Sequence, residues 1–166
     1  MMNADTEKIM QQLEQRYEGI AMQPLYTATV TVTPGQDGHA RLSGHARSSD
    51  GLLDLDLALP TELGGRGRQG TNPEQLFAAG YAACFHGSLA LISRKAGVDS
   101  SKATVTCEVT IGRDPRDGGY MLAAELTVDI PGADREKAEQ IVAQAHNLCP
   151  YSKAIRGNVD VKITVG

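Results

Sequence analysis

The chain has 166 residues, 41% hydrophobic and 22% charged, which suits one globular domain with a real core and excludes a disordered chain. Its 16 basic and 20 acidic residues give a net charge of −4, and no Lys/Arg run supplies the basic surface that nucleic-acid binding requires. Three cysteines are too few for a disulfide-stabilised secreted fold, and the first residues lack a signal-peptide pattern, so we expect a cytoplasmic protein.

The first part of the chain predicts one helix followed by three strands. Apolar residues at helical spacing predict an amphipathic helix over 5–17, within an N-terminal extension at 1–21. Alternating and β-branched residues then predict three strands, over 25–33, 39–48 and 52–59. Turn residues between these segments indicate that neighbouring strands are antiparallel.

A long helix is predicted to follow, beginning at Asn72-Pro73-Glu74. Asn is a favourable N-cap, Pro suits the first helical position, and an acid stabilises the first turn. The helix should run to about Lys95 and end before Gly97. Its long stretch without charge is also compatible with a membrane span, which needs about 20 apolar residues. Its many small residues favour a buried central helix, and we expect no membrane association.

The second half of the chain alternates strands with a helix. Two strands are predicted first, then a helix that Pro150 ends, then a last strand; these elements cover 104–111, 120–130, 134–148 and 158–165. The order βββ-α-ββ-α-β predicts an α+β fold with mainly antiparallel sheets around one buried helix, in a single domain over 1–166.

Several familiar motifs carry no chemistry here. Gly65-Arg66-Gly67-Arg68-Gln69-Gly70 matches GxGxxG, but the helix begins after the last glycine and Ala90 stands where the ribose-binding acid should be. The four histidines form no HxxxH pair and the cysteines have no zinc-finger spacing, so we expect no metal site. The sequence contains no GxSxG elbow, the motif that would indicate a serine hydrolase.

The cysteines are the remaining candidates. Cys107 lies on the apolar face of a predicted strand, which indicates core packing. Cys84 lies in the middle of the long helix among small residues, and Cys149 ends the second helix. From composition and spacing alone, these two are either inert core residues or redox groups.

Two segments resemble a known family. Gly70-Thr71-Asn72-Pro73-Glu74-Gln75-Leu76-Phe77-Ala78-Ala79-Gly80-Tyr81-Ala82-Ala83-Cys84-Phe85 resembles the signature of the OsmC/Ohr family, and Cys149-Pro150-Tyr151-Ser152-Lys153-Ala154-Ile155-Arg156-Gly157-Asn158-Val159 resembles its second cysteine motif in the Ohr branch. The resemblance extends from about residue 24 to the end. It implies an intertwined homodimer that acts as a thiol-dependent peroxidase on alkyl or fatty-acid hydroperoxides.

The resemblance also implies residue roles. Cys84 would be the peroxidatic residue and Cys149 the resolving one, forming a Cys84–Cys149 disulfide that an external dithiol or a lipoylated protein reduces. No cofactor or metal is implied. A non-catalytic OsmC-like protein that binds a small apolar ligand is the alternative, and a purely structural domain is a third possibility.

A peroxidatic cysteine buried on a helix needs a cation beside it. The family supplies an Arg from the first hairpin, held by a Glu that matches Glu74. The comparable turn here reads Gly35-Gln36-Asp37-Gly38, without an Arg, in a hairpin that is longer than usual. We therefore expect Arg41 to serve Cys84, with Arg47 as the alternative.

The spacing of Glu74 and Cys84 raises a separate question. Ten residues on one straight helix separate them by roughly 15 Å along the axis and by about 80° around it. One Arg could not then satisfy both residues within one chain. Either the helix breaks between them, or an antiparallel second copy of the helix brings its own Glu74 to this cysteine.

Overall fold

The computed structural model describes residues 4–166, and positions 1–3 of the expected N-terminal extension lie outside the described residues. In these residues the elements are, in chain order, α1 (Ala4–Glu14), β1 (Val30–Thr33), α2 (Ala40–Ser43), β2 (His45–Ser48), β3 (Asp54–Asp56), a 3-10 turn (Thr61–Leu63), α3 (Pro73–Lys95), β4 (Thr104–Arg113), β5 (Tyr120–Asp129), α4 (Arg135–Leu148), α5 (Pro150–Ile155) and β6 (Asp160–Val165). The α+β class and the predicted strand and long-helix order are confirmed, and α2 and α5 are additional.

The chain forms two compact units, which are described in turn. The hairpin unit is Tyr17–Leu76, and the core unit is Phe77–Gly166 with the N-terminal residues up to Arg16. In the hairpin unit, β1, β2 and β3 form an antiparallel sheet in that order. The strand predicted over 25–33 is shortened to β1 because its partner β2 ends at Ser48 and the chain turns there, which leaves residues 25–28 without a partner strand.

The strand predicted over 39–48 is wrong in its first half, where the chain forms α2. The His39 Nδ1 accepts a hydrogen bond from the Arg41 backbone N–H at 3.2 Å and so caps this helical turn. Gly35 allows the loop to close on it, since a Cβ there would lie 1.8 Å from the Ser43 carbonyl oxygen. The pattern of small and polar residues in this segment did not distinguish a helical turn from a strand.

The core unit contains a second sheet, of order β4-β5-β6. β4 and β5 pair antiparallel along their whole length, as predicted, whereas β6 lies parallel to β5. The parallel pairing follows from the connection, because α4 and α5 carry the chain back before β6 begins. The core between the sheet and the helices is formed by fully buried side chains from α3, β5 and α4, namely Tyr81, Phe85, Leu89, Leu126, Val128 and Ile141.

The predicted long helix is confirmed as α3, and its start follows the expected capping. The Asn72 Oδ1 accepts a hydrogen bond from the Gln75 backbone N–H at 2.9 Å. Among the described residues α3 alone is long and apolar enough to cross a membrane, but three of its large side chains are buried in the core. The helix is continuous from Pro73 to Lys95, so the break between Glu74 and Cys84 that the sequence left open does not occur.

The predicted helix over 134–148 is confirmed as α4, but a further short helix, which was not predicted, begins at Pro150. α4 ends at Leu148, and Pro150 begins α5 as its first residue, a position where proline is tolerated because that N–H would have no helical partner. Cys149 lies between the two helices with extended backbone angles. The second cysteine motif therefore forms a helix–helix junction.

Candidate active site

The two cysteines of the sequence motifs lie in direct contact. The Cys149 thiol donates to the Cys84 sulfur with an Sγ–Sγ distance of 3.4 Å, although 65 residues separate them in the chain. Both are free thiols; Cys149 is fully buried and Cys84 is half-buried. A sulfenic acid formed on Cys84 would thus have a second thiol beside it.

The surroundings of Cys84 in this structure disfavour its thiolate. Burial is the largest cause and raises the pKa of the Cys84 thiol, and the neighbouring Cys149 raises that pKa further. The backbone N–H of Tyr151 acts in the opposite direction, because it donates a hydrogen bond to the Cys84 sulfur. The thiol needs additional positive charge before it can act as a strong nucleophile at neutral pH.

Close aromatic packing holds the residues after Cys149 against α3. The Tyr151 ring stacks on the Tyr81 ring, with centroids 6.1 Å apart and an interplanar angle of 18°. Gly80 makes this approach possible, since a Cβ there would lie 2.9 Å from the Tyr151 hydroxyl oxygen. The Tyr151 N–H is thereby kept at the Cys84 sulfur.

A buried chain of hydrogen bonds lies beside this packing. The Tyr81 and Ser152 hydroxyls are 2.9 Å apart, and the Ser152 Oγ is 3.0 Å from the His146 Nδ1. Burial raises the pKa of the Tyr81 phenol, so Tyr81 stays a donor, and burial together with the charge of Arg156 lowers the pKa of His146. A neutral His146 can accept a hydrogen bond at Nδ1, so Tyr81, Ser152 and His146 each have a partner in this series of hydrogen bonds.

Arg41 and Glu74 form an ion pair within the hairpin unit. The Arg41 Nη2 and the Glu74 Oε1 are 2.5 Å apart, and the Glu74 side chain is only 14% exposed. The Glu74 Oε2 is buried and has no hydrogen-bond partner among residues 4–166. Such a buried oxygen is normally satisfied, so this pair has the capacity for one more donor.

The other sequence candidates lie elsewhere. Arg47 is 66% exposed on β2, and its Nη1 is 3.4 Å from the Asp54 carboxylate. Cys107 packs against the core from β4, and burial raises its pKa. Of the two arginines considered, Arg41 is the one that contacts Glu74.

Some features of the site were not found from the sequence. Ser152 and Tyr151 lie inside the second cysteine motif, but only the fold shows that they meet Tyr81 and Cys84. No cluster of three or more potential metal-ligating side chains occurs in the described part of the chain.

Comparison with known proteins identifies similar sequences over most of the chain. The family described as "OsmC-like protein" matches residues 65–164. The organic hydroperoxide resistance protein OhrB of Bacillus subtilis (strain 168) is 45% identical over 139 residues, covering 84% of this chain and 96% of that protein.

Solved structures are also similar. The crystal structure of the same OhrB matches with a TM-score of 0.76 and covers 86% of this chain and 100% of that one, at 44% identity. An organic hydroperoxide resistance protein from Elizabethkingia anophelis matches at 42% identity with a TM-score of 0.79, covering 87% of this chain and 99% of that one.

The buried hydrogen-bond chain generates a stability prediction. Ser152→Ala leaves the buried Tyr81 hydroxyl without its partner, and we expect the free energy of unfolding to fall by about 1–3 kcal/mol. In the Ser152→Ala/Tyr81→Phe double variant both partners are gone, so the total loss should be smaller than the sum of the two single losses. Urea denaturation under reducing conditions measures all three values.

Ser88→Ala is the matched control. The Ser88 hydroxyl donates to the Cys84 carbonyl oxygen within α3. Its removal leaves no buried donor or acceptor without a partner, because that carbonyl oxygen lies within a helix. We expect this variant to lose less stability than Ser152→Ala. Strict additivity of the Ser152 and Tyr81 losses would show that the two hydroxyls are energetically independent.

Proposed function

The chain belongs to the OsmC family, and we propose that it is a cysteine-based peroxidase that reduces organic hydroperoxides to alcohols through the Cys84 thiol. The 3.4 Å contact between the Cys84 and Cys149 sulfurs is the observation that carries this proposal. The names of its relatives as organic hydroperoxide resistance proteins support the substrate class. The three free thiols fit a reducing compartment, and we propose a cytoplasmic location.

The first step oxidises Cys84. Its thiolate attacks the distal oxygen of the hydroperoxide, the O–O bond breaks, and the alkoxide leaves and takes up a proton to become the alcohol. Cys84 retains the transferred oxygen as a sulfenic acid. The two electrons come from the thiolate sulfur, so the reaction requires no metal or prosthetic group.

The second step forms a disulfide. The Cys149 sulfur attacks the Cys84 sulfur, the S–O bond of the sulfenic acid breaks, and hydroxide leaves as water after protonation. We propose that an external dithiol, from a lipoylated protein by resemblance to the family, restores both thiols by two thiol–disulfide exchanges. The greater exposure of Cys84 favours it as the sulfur that the reductant attacks.

We assign Arg41 and Glu74 to activation of the thiol. Burial raises the pKa of Cys84, and a guanidinium near the sulfur would lower it. Glu74 fixes the Arg41 side chain in one orientation through the ion pair. Arg41 thus supplies the charge, and Glu74 acts as its positioning residue.

We further propose that the protein works as a two-fold dimer in which the Arg41–Glu74 pair of one protomer serves the partner's Cys84. Because α3 is continuous, Glu74 and Cys84 of one chain stay on separate turns of the same helix. The exposed residues Ala79, Ala83 and Gly87 form a stripe of small side chains on α3. Gly80, also on α3, lies against Tyr151 instead.

Exposed apolar residues of the hairpin unit support the same dimer. Leu25 and Tyr26 are 85% and 78% exposed, and Val30 and Val32 are exposed on β1. β1 is an edge strand, whose unpaired backbone groups and apolar side chains are normally covered in a stable protein. A second copy of the chain would cover this surface by two-fold symmetry.

The roles of the cysteines are tested by substitution and peptide mapping. One equivalent of cumene hydroperoxide should convert Cys84 and Cys149 into a disulfide and leave Cys107 a thiol. Cys84→Ser should abolish turnover. Cys149→Ser should consume one equivalent and then accumulate the Cys84 sulfinic acid when peroxide is in excess.

Cys107→Ser is the matched control for these variants and should keep the turnover of the unmodified protein. Full turnover in Cys84→Ser, or a Cys84–Cys107 disulfide after one equivalent, would contradict the assignment. An intact protein whose thiols do not react with any organic hydroperoxide would favour a non-catalytic binding protein.

The role of Arg41 is tested by pH–rate profiles of Cys84 oxidation. Arg41→Ala removes the cation, so the pKa of Cys84 should rise and the rate should begin to increase only at higher pH. A rise of two pKa units would lower the thiolate fraction near neutral pH by about 100-fold. Arg47→Ala, at an exposed arginine, should change the rate less than twofold; the reverse ranking would transfer the role to Arg47.

The shared site is tested by mixing two inactive variants. Glu74→Ala and Cys84→Ser chains are unfolded together and refolded. If the residues come from different chains, half of the dimers are mixed and carry one intact site, so activity should return to roughly a quarter of that of the unmodified protein. A mixture no more active than the mean of its parents would exclude a shared site, and size exclusion of each parent checks that both still assemble.

A further inference from the structure

The hairpin unit contains a cavity that the proposed chemistry does not use. Its volume is about 530 Å³, within the range of small-molecule sites. Leu42 and Leu59 supply apolar residues to its lining, and two exposed arginines, Arg66 and Arg68, also line it. These arginines belong to the Gly65–Gly70 segment whose GxGxxG spacing resembles a nucleotide fingerprint without its context.

The loop that carries the arginines is held against the apolar wall. The Gly65 N–H donates to the Pro60 carbonyl oxygen at 3.0 Å, and a Cβ at Gly65 would lie 1.8 Å from the Leu59 carbonyl oxygen. Gly67, between the two arginines, has a φ of 71°, a left-handed conformation that favours glycine. Arg66 and Arg68 therefore reach the same cavity because of a defined backbone path.

The charge of the cavity is unbalanced. Neither Arg66 nor Arg68 has an ion-pair or hydrogen-bond partner elsewhere in residues 4–166. Asp37 also lines the cavity, so its lining contains one acidic and two basic residues. A net positive site next to leucine side chains is complementary to a molecule with one anionic group and an alkyl chain.

We propose that this cavity binds the carboxylate end of fatty-acid hydroperoxides, with Arg66 and Arg68 as the residues that select acids over uncharged hydroperoxides. Leu42 and Leu59 contact the alkyl chain. The proposal rests on the proposed function, in which Arg41, the residue before Leu42 in α2, serves the reacting thiol. Arg66 and Arg68 determine specificity and take no part in breaking the O–O bond.

The test compares substrates that differ only in charge. Linoleic acid hydroperoxide and its methyl ester are used below their critical micelle concentrations, and cumene hydroperoxide serves as a small uncharged substrate. We expect kcat/KM for the acid to exceed that for the ester by at least about fivefold, the effect of about 1 kcal/mol of charge-assisted binding. In Arg66→Gln/Arg68→Gln the ratio should fall to about one, with cumene hydroperoxide reduced within twofold of the original rate.

Arg135→Gln/Lys137→Gln makes the same change of net charge on α4 and should keep the original acid-to-ester ratio. Equal kcat/KM for acid and ester in the unmodified protein would overturn the proposal, as would an unchanged ratio in the Arg66/Arg68 variant. A parallel loss on cumene hydroperoxide would also overturn it, because the arginines would then act on the reaction or on the fold.

A binding measurement separates this proposal from the proposed function. Calorimetry with unreactive decanoate and decanol should show tighter binding of the acid, and Arg66→Gln/Arg68→Gln should remove that difference. Absence of any peroxide reduction would contradict the proposed peroxidase function. The comparison of decanoate with decanol binding could still be interpreted, because it requires no turnover. Equal affinity for decanoate and decanol would overturn the cavity assignment whatever the activity.

Discussion

The contact between the Cys84 and Cys149 sulfurs constrains much of the surrounding structure. Cys84 is fixed by α3, whose neighbouring side chains fill the core, and Cys149 lies at the junction of α4 and α5. Where the junction meets α3, Gly80 leaves room for Tyr151, since a Cβ there would lie 2.9 Å from the Tyr151 hydroxyl oxygen. Ser152 then completes a buried polar chain to Tyr81, so the contact is supported by packing and by hydrogen bonds together.

The same burial that brings the sulfurs together opposes the chemistry proposed for them. Removing Cys84 from water disfavours its thiolate, and a thiol without charge is a weak nucleophile. In the proposed function, placement of the sulfurs and supply of positive charge are separate requirements, and each is met by a different unit of the chain. The core unit places the sulfurs, and the hairpin unit carries a charged pair, Arg41 and Glu74, whose second carboxylate oxygen is still free to accept a hydrogen bond in the described structure.

The sequence predicted the elements that are governed by periodicity and capping. The start of α3 and the β4–β5 pair follow from local residue patterns, and both are confirmed. α2 was missed because its cap is a histidine and its closure depends on glycines that also suit a strand turn. The contact of Cys84 with Cys149 joins residues 65 positions apart, so only resemblance to a family could indicate it. Local patterns carry no information about such a tertiary contact.

The junction at Cys149 also indicates which side of the pair can move. Bond formation requires the sulfurs to approach more closely than their present contact. α3 is long and anchored by buried Tyr81, Phe85 and Leu89, so displacing Cys84 would disturb the packing of the core. Cys149 lies at the junction of two helices with extended backbone angles, and its N–H and carbonyl group are bonded to Ala145 and Lys153. If the proposed Cys84–Cys149 disulfide forms, we therefore expect the junction at Cys149, rather than α3 at Cys84, to accommodate the change.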